Sequence, residues 1–174
     1  MKQTFLILSI FALSIFVKSQ SNNSFIAEDS KLIWQKVYET SLTFDEIYKA
    51  MNESGQFTDL QILDNKITGQ TKPFKIDWAS QGLKRMSTPM YINYYDYVGF
   101  LIVDFKDSKY RATLKTITMQ RNDNIQKGMV KEKDILDEYA LKKGQIRASF
   151  KDTEGKIFEY TINKLFTFKK AENW

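Results

Sequence analysis

The chain has no cysteine and no histidine, and only two prolines and seven glycines in 174 residues. Without cysteine there are no disulfides, so stability must come from a packed core. Zinc, copper and iron sites lose the side chains that supply most of their ligands. Oxygen-only calcium binding would need a set of loop carboxylates that the chain lacks, and "DTEG" at 152 to 155 reads as a turn. There is no glycine-rich phosphate loop. No metal and no cofactor is expected. Nor is a catalytic residue marked: Ser149 with Lys151 and Ser80 with Lys84 are the pairs on offer, and a lysine-rich chain produces such pairs by chance. An extracytoplasmic hydrolase using a serine–lysine or carboxylate pair is the alternative to a non-catalytic protein.

Long apolar runs are also scarce. The one at the start, Phe5 to Val17, follows Lys2 and is broken only by two serines. It is too short for a bilayer span, which takes about 20 residues. Its basic, apolar and small-residue order is that of a secretory signal, with cleavage expected between Ser19 and Gln20. An exported protein, periplasmic or secreted, with no membrane span after cleavage is the expectation. Loss of Lys2 and Lys18 lowers the net charge of +5 to about +3. That falls short of the clustered basic charge of a nucleic-acid binder, so no nucleic acid is expected as partner.

What the chain does have is aromatic residues, 14% of the total, and alternating patterns. After a polar lead over 20–30, "KLIWQKVYET" reads as a strand. The segment "SLTFDEIYKAMNESG" then reads as a helix. Thr43 and Glu46 have capping-box spacing, Leu42 and Ile47 form the hydrophobic staple, and Phe44, Ile47, Tyr48 and Met51 make one apolar stripe ending before Gly55. Asp45 and Glu46 therefore belong to a helix start rather than to catalysis. Two strands follow, "DLQILD" and "ITGQTKPFKIDW", turning at Asp64-Asn65-Lys66. Pro73 is expected to push the second of them to a sheet edge or a bulge. Residues 79–97, rich in tyrosine, read as a long irregular connection.

The strongest β signal is "YVGFLIVDFKDSKYRATLKTITM". A turn centred on Asp107-Ser108 pairs Phe105 with Tyr110, Val103 with Ala112 and Leu101 with Leu114 on a core face. It pairs Asp104 with Arg111, Phe100 with Lys115 and Val98 with Ile117 on a mixed one. Beyond a polar linker, "QRNDNIQKG", a short helix is expected through Ile135, Leu136, Tyr139 and Ala140. The last segment fits a helix or a hairpin, with helix preferred, and is expected to cover the mixed face.

Over residues 31–122, "LIWQKVYETSLTFDEIY", the "ILDNKITGQT" turn and the "DSKYR" hairpin make the chain resemble a family of exported Bacteroidetes-type proteins, a domain of unknown function with a TATA-binding-protein-like fold. The resemblance implies a curved antiparallel sheet with helices on one face, in keeping with the α+β order of strand, helix and four strands. Residues 123–174 lie beyond it and are expected to be an extension packing on the same domain. The resemblance implies no activity. Candidate binding residues, for an unknown protein or envelope component, are two groups. Trp78, Lys84, Arg85, Tyr91, Tyr94 and Tyr95 lie in the connection. Phe100, Arg111 and Lys115 lie on the mixed hairpin face, with Ile102 and Ile117 beside them.

Overall fold

The computed structural model describes residues 24–121 and 131–169. The expected signal peptide and the linker beyond Arg121 lie outside the described residues. The fold is α+β. Strands β1 (Phe25–Glu28), β2 (Lys31–Glu39), β3 (Phe57–Leu63), β4 (Lys66–Thr71), β5 (Tyr95–Lys106) and β6 (Lys109–Arg121) form an antiparallel sheet in the order β1-β2-β6-β5-β4-β3. A short β7 (Lys133–Ile135) pairs with the far end of β6, and β8 (Leu141–Lys142) with β9 (Gln145–Ile146) makes a separate hairpin. Helices α1 (Phe44–Glu53), α2 (Met90–Tyr94), α3 (Leu136–Ala140) and α4 (Gly155–Leu165) complete the chain.

Helix α1 forms as its sequence dictates. The Glu46 N–H donates to Thr43 Oγ1 at 3.3 Å, and the Glu46 carboxylate accepts from the Thr43 N–H at 2.8 Å. Ile47 and Met51 are buried, and Gly55 takes the left-handed conformation after the helix, with φ of 67°. Strand turns are equally local. Asp107 and Ser108 both have positive φ, as do Asp29 and Ser30, the requirement of a two-residue turn matching the twist of its strands.

The β5–β6 register follows the expected pairs from Lys106↔Lys109 to Phe100↔Lys115 and then departs from them. Val98 faces Thr118, where Ile117 was expected, because Thr116 is an extra residue on β6 with φ of 54°. A β-branched residue rarely takes that conformation, and the bulge it makes turns Ile117 and Met119 onto the core face, both buried. Gly99 sits across from the bulge; a Cβ there would come within 2.7 Å of Leu114 Cδ1, so a side chain would force Leu114 to shift.

Five further expectations are corrected. Phe25–Glu28, taken as polar lead, is a strand whose Phe25 enters the core. Strand β4 is internal, lying between β3 and β5, and ends at Thr71, so Pro73 costs no ladder bond; the bulge falls on β3, between Thr58 and Gln61. The 79–97 connection holds α2 and the start of β5, and the helix expected around Ile135 is confined to five residues, since Lys133–Ile135 pairs with the edge that β6 leaves open. Asp152–Gly155 is helical, continuing from a wide turn at Phe150–Glu154 into α4.

The C-terminal segment is helical, and it packs on the core face. Phe158 meets Tyr97 edge-on with ring centres 5.0 Å apart, and Phe166 stacks on Trp34 at 5.4 Å. The Tyr110 hydroxyl donates to the Phe166 carbonyl at 2.6 Å. Its expected docking on the mixed face is therefore overturned. Trp34, Tyr97 and Tyr110 offer a larger apolar surface than Phe100 and Ile102, and one amphipathic helix covers one face.

Candidate binding face

Successive residues of a strand point to opposite sides, so the burial of Leu32, Trp34, Leu101, Val103, Ala112 and Leu114 defines the outer set by alternation. Ile33, Gln35 and Val37 of β2 lie outside, facing Lys115, Thr113 and Arg111 of β6. Those in turn face Phe100, Ile102 and Asp104 of β5, and Thr68 and Gln70 of β4 complete the surface. Every sheet residue in an aromatic contact with a helix, such as Trp34, Tyr97 and Phe105, is on the other side. Among the described residues no helix packs on the outer face. Phe100 is 37% exposed there, Val37 57% and Leu63 56%.

Charge is arranged around this apolar set. Asp104 holds two cations, accepting from Arg111 Nη2 at 3.0 Å and lying 3.4 Å from Lys66 Nζ. Lys109 pairs with Glu39 at 3.2 Å, and Lys115 Nζ sits 5.4 Å from the centre of the Phe100 ring. Two depressions follow. A groove of about 690 Å³ at the turn end is lined by Val37, Asn65, Lys66, Asp104, Lys109 and Arg111, among others. One of about 380 Å³ at the bulge end is lined by Phe100, Lys115, Thr116 and their neighbours. Thr116, with its positive φ, thus stands beside Phe100 and Lys115 at the rim of this depression.

The opposite face is fastened by Glu159 of α4. Its carboxylate accepts from the Ser24 N–H at 3.1 Å, Ser24 Oγ at 2.9 Å, Trp34 Nε1 at 2.5 Å and Lys36 Nζ at 2.9 Å. Burial pushes its pKa up, but the bonds from Lys36, Trp34 and Ser24 outweigh this and hold it below the usual glutamate value. A carboxylate so filled with donors is a structural clamp, with no lone pair left for a reacting proton. Among the described residues no group of three or more acidic side chains is placed to hold a metal ion.

Of the nine candidate residues, Phe100, Arg111 and Lys115 come together on the outer face. The other six do not join them. Tyr95 is buried, and Tyr91 packs between Tyr139 and Phe158 on the helix side. Trp78 packs against the core. Lys84 and Arg85 are exposed, with Arg85 5.6 Å from the Tyr94 ring centre. Ile102 belongs to the face and Ile117 to the core. Sequence reading missed Ile33 and Val37, although alternation with Leu32 and Trp34 was the signal for them.

No family model matches the chain, and no curated protein matches it. Two solved structures are similar. One is a TBP-like protein from Parabacteroides distasonis, 13% identical with a TM-score of 0.49, covering 81% of this chain and 91% of that one. The other is a DUF4468 family protein from Bacteroides ovatus, 13% identical with a TM-score of 0.46, covering 87% of this chain and 95% of that one. Both are of the Bacteroidetes kind that the sequence resembles; one name describes a fold and the other a domain family, and neither states an activity.

Proposed function

We propose that the protein is a non-catalytic binding module, exported from the cytoplasm, whose outer sheet face takes an acidic protein partner carrying apolar side chains. The observation that carries this is the uncovered face itself. Solvated antiparallel faces are polar at their outward positions, and this one places Ile33, Val37, Phe100 and Ile102 there. Charge supports the acidic partner: at the paired outer positions Lys31, Lys66, Lys106, Lys109, Arg111, Lys115 and Lys133 stand against Glu28, Glu39, Asp96 and Asp104. The basic and apolar order of residues 1–19 supports export.

A photo-crosslinking residue in place of Phe100, in the full chain expressed in its own cells, tests the reading. The expected result is one discrete adduct with a second, acidic protein, absent when Lys115→Glu and Arg111→Glu are added. No adduct, an adduct to a second copy, or one internal to the chain overturns it.

A further inference from the structure

The loop at 84–90 is ordered without being buried at its tip. Met86 is 100% exposed and Met90 51%, whereas Met51 and Met119 are fully buried in the core. Exposed apolar tips usually sit on loose loops, but this one is tied down. The Asn93 Nδ2 group donates to the carbonyls of Arg85 at 3.2 Å, Thr88 at 2.9 Å and Pro89 at 3.4 Å. Ser87 Oγ and Thr88 Oγ1 both donate to the Lys84 carbonyl, at 2.9 and 3.0 Å. Beneath it Thr88 and Ile92 are buried. Three polar side chains thus fix a turn that holds Met86 out in water.

The chemistry around the tip is one-sided. Lys84 and Arg85 directly precede Met86, and no acidic residue occurs from Trp78 to Tyr95. A convex tip with a flexible thioether at its end, two long cations that can lie along an apolar surface, and an aromatic ring beside them fits a bilayer interface. A protein partner would need a socket for Met86, whereas an apolar tip beside two exposed cations suits headgroup phosphates over acyl chains. We infer that the 84–90 loop is a peripheral contact for an anionic lipid surface. This site is separate from the outer sheet face and does not depend on it.

Co-sedimentation of the chain from Gln20 onward with vesicles tests the inference, using phosphatidylcholine alone and phosphatidylcholine mixed with phosphatidylglycerol. Binding is expected only to the mixed vesicles, weakening as salt rises. Lys84→Gln and Arg85→Gln should each weaken it about fivefold, and Met86→Ser about tenfold. Lys143→Gln, in the exposed β8–β9 turn, should leave it unchanged. All four residues are exposed, so folding is not at issue. Equal binding to neutral vesicles, no binding, no effect of Met86→Ser, or an equal loss with Lys143→Gln overturns the lipid assignment.

Discussion

Glu159 shows how one side chain ties distant parts of this chain together, taking hydrogen bonds from Ser24, Trp34 and Lys36 and so joining the first two strands to the last helix. Hydrogen bonds to charged groups are worth about 1.5–3 kcal/mol each and do not add fully. Glu159→Gln is expected to cost about 2–3 kcal/mol at neutral pH. Because the folded pKa is lowered, the native state binds fewer protons than the unfolded chain at pH values between the two. The contribution is present above the unfolded glutamate value of about 4.3 and is lost as pH falls through the lower folded value. Denaturant midpoints of the two proteins should therefore converge below about pH 4. A constant gap across the range would show that the carboxylate is not the clamp. At the same scale Thr116 is the residue hardest to read in advance. Nothing local favours a threonine at φ of 54°, and the bulge it forms is a tertiary outcome that moves Ile117 from the outer to the inner face.

Elements whose cause is local were legible in the sequence. The Thr43–Glu46 box, the Asp107-Ser108 turn and the alternation beside it place α1 and the β5–β6 hairpin correctly as far as Lys115. Elements defined by what they pack against were not. Residues 157–166 carry an apolar stripe that sits equally well on either side of a sheet in the sequence, and the choice is made by Trp34, Tyr97 and Tyr110, which lie far away in the chain. The candidate site divides on the same line: Phe100, Arg111 and Lys115 follow from strand alternation, whereas aromatic content cannot separate Tyr91 and Tyr95, which pack inward, from surface residues. The energetics should rank accordingly. Thr43→Ala is expected to cost about 1 kcal/mol and Phe158→Ala about 3–5, read from denaturant midpoints. The reverse order would mean that α4 is not the cover of the core.

At the scale of the whole molecule, one sheet separates two surfaces of different character. The inner one is closed by α1 and α4 through aromatic contacts and by Glu159, and among the described residues none of the helices is long and apolar enough to cross a membrane. The outer one presents Phe100, Val37 and a surplus of cations to whatever lies outside. On the proposed function, this surface is open in the isolated protein and covered at its place of work. Because the chain has no cysteine, a single introduced thiol reports without background. The direct measurement is the maleimide labelling rate of Val37→Cys, in purified protein and in intact cells, with Lys143→Cys as the reference. Labelling as fast as the reference is expected in the purified protein, with marked protection in cells. Protection already in the purified chain, or equal labelling in both settings, would contradict the proposed function.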